Sequence, residues 1–517
     1  MSDLMKNGQT APPSADELEL LADEIEMALA AEDYAAASEA INRDINASWF
    51  SMRPSRTIEI LKLLASKSPS PSPLLKTALS AFSKDDPGII DSPSILAGIK
   101  TDDPREMFVL SVMRVADFRL KGRTRDALQQ SLEMEKHLGM MQPLLDSHHG
   151  WTLQTSVQIG VSAMLAGDFT LALTNFTRAQ MHVPVPKFGF LTRDALAKSA
   201  LIHACFGNAT TAKSLIHRAD RVPRTSSWVE AHIDAHRDFA EVLVSFEDYQ
   251  EALERLEAIS LHDIAEMWPF YILAVHRILE GGGYHDELEH RLEMFDTMPF
   301  PRIDGDGFVG SIIPLKRAML AMKSGRGTEA QEFLDRADQT LPYTQLFQAA
   351  ANIYAGRTQR AIQQVSRLRT ETRGFRLMEV RRLSLLAAAQ YQSDEQEECI
   401  DTLKRAAELP RGLTQTEVQL FSPETRELAT RCVPSWPVDK DGPSAFLTGL
   451  PKPGLALTDR EVEIIQYLAA GDTRAKMAEA MFISVNTLKT HLKSIYKKLD
   501  ASNADEAVLG AQRRGLI

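Results

Sequence analysis

The residues best suited to chemistry with a polyanion lie in one short segment near the end of the chain. Between Ser484 and Lys498 there are four lysines and no acidic residue, although the chain of 517 residues carries a net charge of −12. Lysine ammonium groups and threonine hydroxyls donate hydrogen bonds to phosphate oxygens and to the acceptor edges of nucleic-acid bases. The segment therefore predicts one cationic face for phosphates on a chain whose acidic remainder repels them.

Helical spacing divides the side chains of this segment between two faces. At 100° per residue the apolar face predicts a packed core, and its members are Val485, Leu488, Leu492, Ile495 and Leu499. The opposite face, which we call the cationic stripe, contains Asn486, Thr490, Lys493 and Lys497, with Lys489 on its flank. Solvated lysine faces are common on helices, so the stripe alone leaves nucleic-acid binding and plain solvation both open.

Further helices are predicted around this segment, with recognisable residues at their ends. Thr458 caps a first helix that Gly471 ends, and a short helix follows at about 474–481. Ser484 begins the basic helix, about 484–499, and Asn503 caps a last helix that ends near residue 514. Two helices joined by a tight turn, the second of them basic, form the helix-turn-helix arrangement.

This stretch resembles the LuxR-type helix-turn-helix of transcription regulators. The resemblance covers roughly the last 60 residues and depends on several blocks at fixed spacing. The blocks are Leu457-Thr-Asp-Arg-Glu461, Gly471, Phe482-Ile-Ser-Val-Asn-Thr-Leu-Lys-Thr-His491, Ile495-Tyr-Lys-Lys-Leu499 and Ser502-Asn503. It implies a sequence-specific regulator that binds double-stranded DNA and places the helix at about 484–499 in the major groove.

The resemblance also assigns roles to individual side chains. The base-reading positions on the recognition helix are Lys489, Thr490 and Lys493. Phosphate or supporting contacts are assigned to Thr487, His491 and Lys497, and Asn486 completes the predicted DNA-binding set. The family further implies a homodimer formed through the last helix, around Ala507, Val508 and Ala511, on paired half-sites.

Four positions depart from the family pattern: Asp472, Lys476, Asp500 and Ala504. Asp500 stands where a glycine is usual and must tolerate a left-handed turn. Ala504 replaces an arginine, which would weaken affinity for DNA without changing sequence preference. These departures leave a second interpretation open, in which the chain is a protein-interaction scaffold that uses a degenerate helix-turn-helix for docking.

The long segment before this motif contains an internal repeat. A glycine precedes a small residue by five positions, which predicts a left-handed turn followed by a closely packed helix. The pairs are Gly122/Ala127, Gly167/Ala172, Gly207/Ala212, Gly325/Ala330 and Gly356/Ala361, with altered copies at Glu247/Ala252, Gly283/Leu288 and Asp394/Cys399. Helical hairpins at a period of about forty residues stack into an α-solenoid, and these copies resemble tetratricopeptide repeats.

The chain is therefore predicted to be all-α, with an N-terminal α-solenoid of helical hairpins and a C-terminal four-helix LuxR-type domain. We expect a disordered N-terminus at 1–13, a helical-repeat domain at 14–430, a Pro-rich linker at 431–454 and the DNA-binding domain at 455–517. The combination resembles the sensor-plus-DNA portion of large LuxR regulators of the maltose-activator kind, without their ATPase module, because no phosphate-loop motif occurs. The repeat domain would sense an unknown ligand or protein partner.

Composition argues against several other classes of protein. Three widely spaced cysteines predict neither a disulfide framework nor a zinc site, and no apolar stretch is long enough for a membrane span. With no signal-peptide pattern in residues 1–13, a cytoplasmic location is expected. No catalytic constellation, metal or cofactor is predicted. The pair His232 and His236, the group His203, Cys205 and His217, and the turn Asp304–Gly307 are expected to be structural.

Charge is divided unevenly along the chain. Residues from Gly454 onward carry nine basic and eight acidic side chains, while the preceding residues carry 49 and 62. This asymmetry predicts autoinhibition, in which the acidic body covers the cationic stripe until a ligand or partner shifts it.

Overall fold

The computed structural model describes residues 16–67, 104–139, 150–182, 185–245, 248–438, 450 and 457–517. Within these ranges the regular elements are helices and no strand occurs. The predicted fold class is confirmed: the chain is an all-α protein with a solenoid of helical hairpins and a C-terminal four-helix domain. The expected disordered segment at 1–13 and most of the expected linker lie outside the described residues.

The solenoid begins with a small group of helices and continues as successive hairpins. The first group contains α1 (Glu17–Ala30), α2 (Tyr34–Arg43), α3 (Ile45–Ser51) and α4 (Pro54–Lys67). The hairpins are α5 (Pro104–Leu120) with α6 (Thr124–Gly139), α7 (Trp151–Ala166) with α8 (Phe169–Met181), α9 (Gly189–Cys205) with α10 (Ala209–Asp220), and α11 (Glu230–Ser245) with α12 (Tyr249–Glu257).

After the short α13 (Leu261–Ile264), the same arrangement continues to the end of the array. Its hairpins are α14 (Trp268–Gly281) with α15 (His285–Thr297), α16 (Gly307–Lys323) with α17 (Gly327–Asp335), α18 (Pro342–Tyr354) with α19 (Thr358–Arg367), and, after α20 (Arg369–Thr372), α21 (Arg376–Gln392) with α22 (Gln396–Ala407). The short α23 (Gln415–Val418) and α24 (Pro423–Cys432) follow. Trp436 packs edge-on against Phe421, with ring centroids 5.1 Å apart, so the chain still packs against the array at residue 436.

The two helices of a hairpin differ in how much of their surface is buried. Helices α7, α9 and α16 are buried on nearly all sides, because neighbours pack around them. Their partners α8, α10 and α17 bury one face and expose the other. This division explains why the first helices have apolar residues all round and the second helices are amphipathic.

The repeated glycine turns have the predicted geometry at most copies. Gly167 has φ 92°, and a Cβ atom there would lie 2.9 Å from the Leu341 side chain. Positive φ is also found at Gly122, Gly283, Gly325, Gly356 and Asp394. The residues five positions later are buried at every copy: Ala127, Ala172, Ala212, Ala252, Leu288, Ala330, Ala361 and Cys399.

Gly207 is the exception, and the prediction of a left-handed turn there is wrong. Its φ is not positive, and its N–H donates to the His203 carbonyl at 3.0 Å in a continuing helical turn. The position instead excludes a side chain because a Cβ atom would collide with the His203 ring. Glu247 lies outside the described residues.

Aromatic rings from distant hairpins meet at the centre of the array. Phe169 stacks on Phe206 with centroids 4.4 Å apart and meets Phe308 at 5.4 Å. Tyr343 packs edge-on against Phe206 at 5.3 Å, and Phe270 lies 5.0 Å from Phe308. The contact between Phe169 and Phe308 joins residues 139 positions apart in sequence, so the array is held by long-range packing as well as by neighbouring repeats.

The weaker candidates for chemistry form structural contacts within the array. His232 Nδ1 lies 2.9 Å from the carbonyl oxygen of Asp263, and His236 Nε2 lies 3.0 Å from that of Ile264. Burial raises the pKa of the Cys205 thiol to about 12 and lowers the pKa of His203. Asp306 accepts a hydrogen bond from the Thr124 hydroxyl at 2.7 Å. Among the described residues no three histidine, cysteine or acidic side chains converge as metal ligands would.

In the parts of the chain described above, no helix has both the length and the apolar character to cross a bilayer.

Candidate nucleic-acid interface

The C-terminal domain contains four helices with the bounds expected from the sequence, each within about a residue. They are α25 (Asp459–Ala469), α26 (Arg474–Ala480), α27 (Val485–Leu499) and α28 (Ala504–Arg513). Their core is formed by the buried side chains of Leu457, Ile464, Ile465, Met477, Met481, Leu488, Leu492, Ile495, Leu499, Ala507, Ala511 and Leu516. The domain thus has an apolar interior of its own, which fixes the direction of α27.

The ends of α27 are determined by the residues at its caps. The Ser484 hydroxyl accepts the N–H of Thr487 at 3.0 Å and lies 2.8 Å from the Thr487 hydroxyl. Asp500 ends the helix in the left-handed conformation, with φ 54°, where the family usually has glycine. The predicted left-handed Asp500 is therefore confirmed.

One residue of the predicted apolar face is misplaced. Leu488, Leu492, Ile495 and Leu499 are buried as expected, but Val485 is 42% exposed. Val485 is the first residue of α27, directly after its N-cap. Helical periodicity does not report where a helix starts relative to its neighbours.

The cationic stripe is fully presented to solvent. Asn486, Lys489, Thr490, Lys493 and Lys497 are all exposed. In the described part of the chain no acidic side chain forms an ion pair with the three lysines, and the Thr490 hydroxyl donates only within the helix, to the Asn486 carbonyl at 3.2 Å. Their hydrogen-bonding groups are therefore available to an external partner.

The other predicted contact residues have more restricted surroundings. Thr487 is exposed, but its hydroxyl forms a hydrogen bond with the hydroxyl of the cap Ser484. His491 is half-buried beside the stripe.

A buried carboxylate that the sequence analysis did not identify holds α27 against α25. Glu461, 3% exposed, accepts hydrogen bonds from the Ser494 hydroxyl and from Lys498 Nζ, both at 2.7 Å. It also accepts the N–H of Thr458 at 2.8 Å, completing a capping box. Burial would raise the pKa of Glu461, but the hydrogen bonds from Lys498, Ser494 and Thr458 lower it overall. Lys498 is one of the four lysines between Ser484 and Lys498. Its ammonium group is bound to Glu461 inside the domain.

The Thr-x-x-Glu pattern at 458–461 was a signal that could have identified Glu461. A capping box predicts the hydrogen bond from Thr458, but it does not predict that the second carboxylate oxygen meets another helix. A second missed residue is Phe482, which has φ 55° and is 96% exposed in the turn before α27.

The departures from the family pattern are accommodated without disturbing the helices. Lys476 forms an ion pair with Asp472 at 2.5 Å, one turn earlier, so these two unusual residues compensate each other. Ala504 is the first residue of α28, directly after the cap Asn503. Position 504 therefore has no cationic side chain, whereas the family usually has an arginine there.

The predicted dimer residues do not lie on a free surface. Ala507 and Ala511 are fully buried in the core of their own domain, and Val508 is half-buried. The side chains of these two alanines already pack on α25 and α27, and the homodimer through the last helix stays a prediction. The exposed apolar residue of α28 is Leu509, which is 48% exposed.

Among the described residues the acidic body does not cover the cationic stripe, contrary to the prediction. The stripe is exposed, and the described part of the array contacts the C-terminal domain elsewhere. The contact is formed between α17 and the end of α28, where the Thr328 hydroxyl donates to the Gln512 carbonyl at 3.1 Å.

Comparisons with known proteins match this domain. Residues 455–511 match the family model described as bacterial regulatory proteins, luxR family. The transcriptional regulatory protein LiaR of Bacillus subtilis is 40% identical over 65 residues, which are 13% of this chain and 31% of that protein. The response regulator protein VraR of Staphylococcus aureus is 38% identical over 61 residues, 12% of this chain and 29% of that protein. The similarity thus spans less than a third of each relative and leaves the array unmatched by them.

Proposed function

We propose that this chain is a sequence-specific, DNA-binding transcription regulator. The observation that supports it most directly is the cationic stripe of α27, exposed and unpaired within the described chain, on a helix fixed by the buried Glu461. Free ammonium groups on a rigid helix suit the major groove, where donors meet guanine N7 and O6. The match to the luxR family model supports the same function, and the proposed place of action is the cytoplasm.

Within this proposal the side chains of α27 divide their roles. Lys489, Thr490 and Lys493 read bases, since they project from the middle of the exposed face. Asn486, Thr487, His491 and Lys497 contact phosphates or support the readers, since they lie at the margins of the stripe or are partly enclosed.

The remaining parts of the proposal concern assembly and regulation. A homodimer on paired half-sites would use the outer face of α28 around Leu509, not the buried alanines. The helical array would receive a ligand or protein partner and alter the affinity of the attached domain for DNA.

Binding of the full-length protein to a pool of genomic fragments, followed by titration of the selected fragment, tests the proposal. Wild-type protein should bind with an affinity that falls steeply as salt rises, because counterions are released from phosphates. Lys489→Ala combined with Lys493→Ala should abolish preference for the selected fragment. A matched control, Lys62→Ala with Lys404→Ala, removes the same charge from exposed positions of the array and should bind normally.

Two outcomes would contradict the proposal. One is a folded wild-type protein that selects no fragment; the other is equal loss of affinity in the control. A scaffold that docks through the helix-turn-helix is favoured by Ala504, which leaves one expected phosphate contact empty. Stable capture of a protein partner through α27, with no selected DNA, would support that alternative.

A further inference from the structure

The turn between α26 and α27 holds an aromatic side chain outside the domain. Phe482 is 96% exposed, whereas its neighbours Met481 and Ile483 are buried and half-buried against the core. The Phe482 N–H donates to the Glu479 carbonyl at 3.1 Å, and the Ile483 N–H donates to the Ala478 carbonyl at 3.0 Å. These bonds close the end of α26 in a left-handed turn. The fold therefore fixes the backbone from which the exposed ring extends.

The backbone conformation at Phe482 is unfavourable for a phenylalanine. Its φ of 55° lies in the left-handed region, where a residue with a Cβ atom costs energy and glycine or asparagine is favoured. Within the described ranges, Phe482 is the one aromatic residue with a positive φ. Its ring gains nothing from burial in return, because it is almost fully exposed. Stability does not explain this residue, and local strain without compensation indicates a functional position.

A second exposed apolar side chain follows at the start of α27. Val485 is 42% exposed and is the first residue of the helix. Residues four positions apart share a face of a helix, so Val485 comes one turn before Lys489, and Lys489 one turn before Lys493. The turn with Phe482 enters the helix three residues before Val485. We call Phe482 and Val485 the apolar patch; it lies at the N-terminal end of the cationic stripe.

The neighbouring charges favour DNA over a protein as the partner of the apolar patch. An apolar protein surface placed over the patch would also remove the nearby lysines from water without offering them counter-charges. DNA offers phosphates to the lysines and an apolar group to the patch. In helix-turn-helix domains the first residues of the recognition helix contact base edges. The apolar group that base pairs present in the major groove is the C5-methyl of thymine, and phenylalanine is among the side chains that contact it.

We propose that Phe482 and Val485 contact the methyl group of a thymine in the major groove, next to the bases that the cationic stripe reads. This inference rests on the function proposed above and adds a preference for thymine to it. The ring that water surrounds in the free protein is covered when DNA binds, so its exposure is a gain in binding and not only a loss in stability.

Deoxyuridine tests the contact at the level of one methyl group. In the fragment selected by the full-length protein, each thymine is replaced in turn by deoxyuridine, which pairs with adenine in the same way and lacks only the methyl. At the contacted position the affinity of wild-type protein should fall about fourfold, the equivalent of ~0.8 kcal/mol for one buried methyl group.

Replacing Phe482 should remove this response to deoxyuridine. Phe482→Asn eliminates the ring and suits the positive φ, so the thermal unfolding midpoint should be unchanged or higher. Its affinity for the selected fragment should be about tenfold lower, and deoxyuridine at the contacted position should lower it no further. Val485→Ala, a second variant at a position where alanine favours the helix, should lose part of the response. A lower unfolding midpoint for Phe482→Asn would instead indicate that the ring serves the fold.

The matched control is Met181→Asn, which removes an apolar side chain that is 80% exposed at the end of α8. This variant should keep both the affinity and the response to deoxyuridine of wild-type protein. If wild-type protein binds DNA but responds to no deoxyuridine, or if Phe482→Asn responds as wild type does, the thymine contact is overturned and the proposed function stands. A wild-type protein that selects no fragment overturns both.

Discussion

The lysines of α27 differ in their exposure and in their partners. Lys489, Lys493 and Lys497 point away from the domain and remain free for a partner, whereas Lys498 reaches the buried Glu461. Glu461 in turn joins the start of α25 to the second half of α27. At the scale of single residues, the orientation of the exposed lysines therefore depends on a buried carboxylate.

Replacing Glu461 tests this positioning role. Glu461→Ala should lower the free energy of unfolding of the C-terminal domain by about 2–4 kcal/mol, because the partly buried Lys498 loses its partner. Glu463→Ala, on the same helix, removes the exposed partner of Arg460 and should cost less than about 1 kcal/mol. Calorimetric unfolding of the full-length variants measures both changes in the free energy of unfolding. Equal changes would contradict the positioning role of Glu461.

The same carboxylate predicts the direction of a pH effect. The pKa of Glu461 is lowered from its ordinary value of 4.5, so the folded state favours the ionised form. Its contribution to stability is therefore complete above pH 4.5 and is lost as pH falls through the lower pKa of the folded state. The difference in stability between wild-type protein and Glu461→Ala should shrink over that acidic range.

At the scale of elements, the two ends of α27 are stabilised unequally. Ser484 provides a well-formed N-cap, whereas Asp500 adopts a left-handed conformation that costs energy for any residue with a Cβ atom. The attraction between Asp500 and Arg514 recovers part of that cost. Helix α27 thus ends in a left-handed turn at a residue that is not the most stable choice for it.

Asp500→Gly should therefore stabilise the C-terminal domain, by about 0.5–1 kcal/mol. The matched control is Ala501→Gly, one position later, where φ is not positive and the added flexibility should destabilise by a similar amount. Thermal unfolding of the two variants should shift the midpoint in opposite directions. A decrease for Asp500→Gly would mean that its contact with Arg514 outweighs the backbone strain.

At the scale of the whole molecule, the array and the C-terminal domain meet through close backbone packing between α17 and the end of α28. Gly327 and Gly515 form the closest point, and Ala355 of the array joins the core of the C-terminal domain. The stripe of α27 is left exposed by this arrangement. The position of the contact, and not the net charge of the two parts, decides which surface stays free.

Gly327→Ala should release the C-terminal domain from the array, because the added Cβ atom would overlap the backbone of Gly515. Gly325→Ala is the matched control: it strains a residue with φ 69°, but a Cβ atom there has no neighbour within 4 Å. Small-angle scattering should show a larger radius of gyration for the first variant alone. An unchanged radius for Gly327→Ala would mean that other contacts suffice to hold the two parts together.

The sequence by itself determined the local features of this protein. Capping residues, glycine turns and helical periodicity act within a few residues, so they predicted the helices of the C-terminal domain, the buried small residues of the repeats and the exposed cationic stripe. Resemblance to a family added roles for the side chains of α27, and these remain predictions.

Only the tertiary structure decided which surfaces meet. Val485 lies beyond the core, Gly207 continues a helical turn, Ala507 and Ala511 pack inside their own domain, and Lys498 is held by Glu461. The burial of Ala507 and Ala511 and the pairing of Lys498 with Glu461 depend on neighbours far away in sequence, and periodicity along one helix carries no information about those neighbours. The close packing of Gly327 against Gly515, and the cleft beside these residues, also arise where segments distant in sequence meet.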